Sequence, residues 1–191
     1  MTMRNFSPSM ACLALAGMLA VCGSPARAQD TGAYASVGVA HATSDANALG
    51  DFKEDSGQIQ LRLGYAVNRH VAIEAEGSLA AFKPELTSSA DGIRLTLDRY
   101  AAAFAVARLP MSDRVTIHGR GGYYASTVAL EVTGQRETED FDDLAYGLGA
   151  SYRWNRNAIR ADYTVLKDAI GEGGGPEMNH RLLGFAFVRS F

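Results

Sequence analysis

Cysteine is nearly missing from this 191-residue chain, and so is any apolar run long enough to cross a membrane as a helix. The only two cysteines, Cys12 and Cys22, lie near the N-terminus. The apolar stretch Met10–Val21 has 12 residues, against the ~20 that a spanning helix needs. A mean hydropathy of -0.07 excludes a multi-helix membrane protein. Basic excess is also lacking: 18 Lys and Arg face 21 Asp and Glu, so no polycationic surface for nucleic acid stands out. There is no Walker-type loop and no nucleophile elbow. His41, His70, His118 and His180 never fall at ligand spacing such as H-x-x-x-H, so neither a metal nor a cofactor is expected. What is present is ordinary for one folded domain, with 47% apolar and 20% charged residues.

Residues 1–28 read as an address. Arg4 and the initiator amine precede the apolar core, and Ala26-Arg27-Ala28 supplies the small-x-small triplet before Gln29. Cleavage after Ala28 removes both cysteines, so residues 29–191 are expected to hold no disulfide and no thiolate metal site. It also removes Arg4 and Arg27, which lowers the formal charge by two, from -3 to -5. Leu19-Ala20-Val21-Cys22 offers a rival lipobox, but Val21 departs from the Gly, Ala or Ser that lipoprotein signals carry before the cysteine.

The remainder alternates. In 58–67, Ile59, Leu61, Leu63, Tyr65 and Val67 share one face, and Gln58, Gln60, Arg62, Gly64 and Ala66 share the other. Strict period two marks strands with one apolar face. After Asn68-Arg69 the pattern resumes through 71–82, which makes a hairpin. Hairpins are likewise predicted over 100–126, turning near Pro110, and over 144–166, turning at Asn155-Arg156-Asn157. Strands at 31–42 and 181–191 bring the total to eight, of roughly ten residues each. Longer polar stretches, 43–56, 83–94, 127–143 and 167–180, are predicted as loops. Tight turns and long loops therefore alternate, which in an up-and-down meander puts every long loop at one end. That is the pattern of an all-β, eight-stranded antiparallel transmembrane barrel.

Residue types decide which face points inward. The polar face carries Arg62, Glu74, Glu76, Arg99, Arg120, Arg153, Arg160 and Asp162, with Gly64, Ala101, Ala103, Gly122, Gly147, Gly149, Gly184 and Ala186 between them. A narrow eight-stranded interior needs such small residues, whereas a water-facing surface does not. The apolar face carries Tyr65, Tyr123, Tyr146, Tyr152 and Trp154, as an aromatic girdle would. An arginine facing lipid at mid-depth costs ~2–4 kcal/mol. Turned inward, Glu74, Glu76 and Asp162 can meet Arg62, Arg120 and Arg160. His118 falls on the same inward face, two residues from Arg120.

On Leu63-Gly64-Tyr65, Ala72-Ile73-Glu74, Tyr146-Gly147-Leu148-Gly149, Arg160-Ala161-Asp162-Tyr163 and the terminal Phe191, the chain resembles the small outer-membrane β-barrel family of OmpA- and OmpX-like proteins. The resemblance implies residence in the outer membrane among its lipid and lipopolysaccharide, as a monomer. It implies assembly by a barrel-assembly machinery that reads a terminal aromatic with apolar residues at alternate positions before it. Phe191, Phe187, Phe185 and Leu183 match that rule, and Arg189 departs from it. No wall-binding domain is expected after Phe191.

The expected role is structural or surface-interactive and not enzymatic, with the inward charges packed as a plug. An eight-stranded lipid A deacylase would carry an H-x-S pair, and no histidine here has a serine two residues on. A small pore and a soluble periplasmic lipocalin-like barrel are the other rivals. The leader reading makes a direct expectation. Protein extracted from outer membranes should begin at Gln29 by intact mass and N-terminal sequencing, whereas a start at an acylated Cys22 would establish the lipobox instead.

Overall fold

The computed structural model describes residues 31–46, 52–82, 93–132, 135–167 and 178–191. The leader read over 1–28 lies outside them. Eight strands close into one antiparallel barrel in sequence order: β1 (Gly32–Ala46), β2 (Phe52–Ala66), β3 (Val71–Phe82), β4 (Ile93–Pro110), β5 (Val115–Val132), β6 (Gln135–Trp154), β7 (Asn157–Lys167) and β8 (Met178–Ser190). Closure comes from β1 pairing with β8, Tyr34 opposite Ser190 through Ala46 opposite Met178. A closed sheet leaves no edge inside a bilayer, where an unpaired peptide group would find no water.

The short turns have local causes. Asn68 Oδ1 accepts from the backbone N–H groups of His70 and Val71 at 2.7 and 2.9 Å, so the first turn runs over four residues, 67–70. Ser112 Oγ does the same for Arg114 and Val115 at 3.3 and 3.1 Å. Both are side chains that mimic a backbone turn. In the third turn Asn155 takes φ 56°, a left-handed conformation that asparagine tolerates, between the paired Trp154 and Asn157.

Outside, the barrel is apolar. Val37, Val39, Ile59, Leu61, Ile73, Leu79, Leu148, Ile159, Leu183 and Phe185 all project from it. On β6 this band runs from Leu144 to Trp154. Ten steps at about 3.3 Å, tilted by ~40°, span about 25 Å, the height of a bilayer's apolar layer on such barrels. The short turns lie at one end, and by the usual arrangement that end faces the periplasm.

The strands are longer than the sequence pattern indicated, from 11 residues in β7 to 20 in β6. The segment 127–143, expected as a loop, is instead mostly strand. β5 and β6 stay paired from Tyr123 opposite Leu144 out to Val132 opposite Gln135. β4 joins them from Ile93, seven residues before its predicted start at Tyr100. On β5 the adjacent Val128 and Ala129 are both buried, and β6 is almost wholly polar over 135–143, so neither half shows the alternation that reveals a strand.

β4 also faces differently from the sequence pattern. A register shift between Leu97 and Arg99 resets the strand. Tyr100, Phe104 and Val106 then point inward and are buried, while Ala101, Ala103, Ala105 and Ala107 face out. Ala101 and Ala103 were expected inside because they are small. The interior instead takes Phe104 opposite Gly122, and Ala105 and Ala107 with Gly119 and Gly121 line a lipid-facing groove of about 740 Å³. Nitroxide labels test this facing. A label on Ala103→Cys should collide freely with oxygen dissolved in the bilayer and one on Ala102→Cys should not. The reverse order would restore the opposite face.

Candidate functional site

The interior charges are brought to one place by strand alternation and by glycine. Gly64 stands between Tyr34 on β1 and Glu74 on β3 in the sheet register. A Cβ at Gly64 would overlap the Tyr34 ring. Without it, Tyr34 lies across β2 and its hydroxyl donates to Glu74 Oε1 at 2.6 Å. Gly149 plays the same part between His118 on β5 and Asp162 on β7. A Cβ there would collide with the imidazole and lie 2.7 Å from Asp162 Oδ1; instead His118 Nε2 and Asp162 Oδ1 meet at 2.8 Å. Arg120 likewise crosses Gly147 to reach Thr164 Oγ1.

Three guanidiniums and three carboxylates interlock. Arg62 Nε donates to Glu76 Oε2 at 2.6 Å, and its Nη1 to Asp162 Oδ2 at 3.2 Å. Arg160 donates from Nε to Asp162 Oδ2 at 2.8 Å and grips both oxygens of Glu74 through Nη1 and Nη2. Arg120 Nη1 donates to Glu76 Oε2 at 2.5 Å, and its guanidinium lies 4.4 Å from the centre of the Phe104 ring. The Tyr100 hydroxyl donates to Glu76, and Gln60 Nε2 donates to Tyr100 at 2.7 Å. All six charged side chains are buried, Glu74 and Glu76 at 3% exposure each. The charges balance, three against three, and each carboxylate has at least two charged or hydroxyl donors. Buried ion pairs need this saturation to offset the cost of leaving water.

Of the residues singled out from sequence, Arg62, Glu74, Glu76, Arg120, Arg160 and Asp162 come together here. Arg99 does not: the register shift in β4 turns it outward, where it is exposed and its Nε donates to Thr127 Oγ1 at 3.2 Å. Arg120 turns to Glu76; its nearest approach to Glu74 is 3.9 Å. Tyr34, Tyr100, Phe104 and Thr164 belong to the same cluster and were not picked out. Tyr34 shares its parity with Ser36 and Gly38 and was legible on that ground. Tyr100 and Phe104 were missed because the small Ala101 and Ala103 were expected on the inward face. At the other end, Phe185, Phe187 and Phe191 are exposed on the outside. Arg189 lies outward beside them and donates to Asn157 Oδ1 at 2.8 Å.

Residues 13–191 match the family described as "Outer membrane protein beta-barrel domain". The chain belongs to that family. Among curated proteins, none matches this sequence. Solved structures share the fold. Ail, the attachment invasion locus protein of Yersinia pestis, is 17% identical with a TM-score of 0.58, over 84% of this chain and 99% of that one. Neisserial surface protein A is 15% identical with a TM-score of 0.61, over 83% and 97%. The N-terminal barrel domain of Pseudomonas aeruginosa OprF is 10% identical with a TM-score of 0.50, over 80% and 96%. The protein is therefore an eight-stranded outer-membrane barrel.

The pairing geometry fixes which couplings unfolding should reveal. In detergent or lipid, Glu76→Gln and Arg120→Met should each cost about 3–5 kcal/mol, because each strands a buried partner. The double variant should cost less than their sum by about 0.5–3 kcal/mol. The Glu74–Arg120 pair should show weaker coupling than Glu76–Arg120. Additive costs for Glu76 and Arg120 would remove that pair from the network.

Proposed function

We propose that this protein is a non-enzymatic outer-membrane barrel with a structural or surface-interaction role, whose polar lumen is a packed plug and not an open pore. The observation that carries this reading is the interlocked set of three arginines and three acids at the centre of the barrel. An ion path would need exchangeable water beside those charges. Here their hydrogen-bonding atoms, Arg120 Nε apart, are taken up by one another and by Tyr34, Tyr100, His118 and Thr164. The paired β4–β5–β6 extension supports the surface half of the reading, since on β6 it carries the exposed Asp140 and Asp142 beyond the apolar band.

The rival enzyme would modify lipid A from the outer face, and the H-x-S pair that such a deacylase would carry is missing from this sequence. A soluble lipocalin-like barrel would keep its apolar side chains inside; here Leu61, Leu148 and Phe185 are 60%, 69% and 59% exposed. In this reading the chain enters the periplasm behind a cleaved leader. Phe191, Phe187 and Phe185 are read by the assembly machinery, and lipid with lipopolysaccharide surrounds a monomer.

Fractionation and bilayer recording test the proposal together. The protein should partition with outer membranes and migrate differently on a gel before and after boiling, as closed barrels do. Purified and inserted into a planar bilayer, it should give no steady conductance. A large conductance that disappears in Glu76→Gln or Arg120→Met would make the lumen a pore. Altered lipid A in cells that carry the protein, against cells that lack it, would establish the enzyme.

A further inference from the structure

The two ends of the barrel carry opposite charge. At the short-turn end stand Arg69, Arg108, Arg114, Arg153, Arg156 and Arg189, and Asp113 is the only acidic side chain there among the described residues. At the long-loop end, the described side chains Asp55, Asp98, Asp140, Asp142 and Asp143 outnumber Arg99, Lys167 and Arg181.

Three of the short-turn arginines border one aromatic cluster. The Tyr152 and Trp154 rings lie 6.4 Å apart and the Trp154 and Phe187 rings 6.3 Å apart, all facing outward. Arg114 Nη1 donates to the Tyr152 hydroxyl at 3.4 Å. Arg156 follows Trp154 in the turn, and its carbonyl accepts from Ser190 N at 2.9 Å. Arg189, opposite Asn157 in the β7–β8 register, completes the arc. All three arginine side chains are exposed. Backbone pairing and the turn therefore fix their bases, while the guanidiniums stay at the surface.

We propose that this arc binds an anionic phospholipid of the periplasm-facing leaflet, with the phosphate on Arg114, Arg156 and Arg189 and an acyl chain along Tyr152, Trp154 and Phe187. A guanidinium presents paired donors to phosphate oxygens. Arginine stems can run along apolar surface while their heads reach the headgroup layer, where tryptophan and tyrosine also settle. The rings decide between a lipid and a soluble polyanion. They place apolar surface directly beside the cations on the lipid-facing side, which a hydrophilic polymer would leave unused.

Trp154 is the only tryptophan in the chain, so its fluorescence reports this one place. The folded protein is reconstituted into phosphatidylcholine vesicles containing either dibrominated phosphatidylglycerol or dibrominated phosphatidylcholine at equal fraction. Quenching should show about a fivefold preference for the anionic lipid, the scale set by about 1 kcal/mol for one arginine at a charged surface. In Arg114→Gln/Arg156→Gln/Arg189→Gln the preference should fall to about one. Arg99→Gln/Lys167→Gln/Arg181→Gln, at the far end, should leave it unchanged. Migration before and after boiling confirms that each variant is folded, and Arg156→Gln alone, in an exposed turn, should give a graded decrease. Equal quenching by both lipids in the parent protein overturns the proposal, as does an unchanged preference in the triple variant or its loss in the far-end variant. Soluble cell-wall fragments serve as the other arm. An arginine-dependent change in Trp154 emission on adding them, without anionic-lipid preference, would overturn the lipid site and assign the arc to the wall.

Discussion

Room inside a closed eight-stranded sheet is the constraint on which the rest of this structure depends. Such a barrel is only just wide enough for its inward side chains to fill it. A long side chain can therefore point inward only where its neighbour across the strand gives way. Tyr34 lies over Gly64, His118 over Gly149, and Arg120 over Gly147. Each glycine lets a polar group on one flanking strand reach a partner on the other. That is how Tyr34 meets Glu74, 40 residues away, and His118 meets Asp162, 44 residues away.

The same geometry explains why charge can be kept in the middle of a membrane protein. Turned outward, each arginine would meet hydrocarbon; turned inward, it leaves water but finds anionic acceptors. Saturation decides the sign, because a buried charge with a missing partner is strongly destabilising while a fully paired set can be near neutral. The three carboxylates meet that requirement through the three cations and the tyrosine hydroxyls, while Arg120 Nε is left without a partner. Specific pairing matters more than total charge: Glu74 is gripped by Arg160, and Glu76 is shared by Arg62 and Arg120.

Three zones follow along the barrel axis. The charged plug occupies the centre, an apolar belt surrounds it, and the two rims face different aqueous compartments with different chemistry. Outer-membrane barrels of unrelated sequence, such as Ail and Neisserial surface protein A, share the architecture at 15–17% identity. Fold similarity at that level speaks for the scaffold, and the rims and the extension are where one barrel differs from another.

Period-two alternation, with Asn68, Pro110 and Asn155 at the turns, made the eight strands and their order legible in the sequence, since both signals are local. Glycines interleaved with Arg62, Glu74, Arg120, Arg160 and Asp162 indicated which face turns inward, because only a narrow interior demands that mixture. Strand length beyond the membrane was not legible: on β5 the adjacent Val128 and Ala129 are both buried, β6 is almost wholly polar over 135–143, and pairing between the two is visible only once both are placed. The facing of β4 was misread because small size put Ala101 and Ala103 inside, whereas unbroken pairing with β3 and β5 from Arg99 onward turns them out. That pairing leaves Arg99, of the same parity as the alanines, outside and Tyr100 and Phe104 inside. Which acid each arginine holds was likewise a tertiary outcome, because barrel closure sets the distances between strands far apart in the chain. Local alternation determined the count of strands and the faces of strands other than β4; closure and register decided the partners.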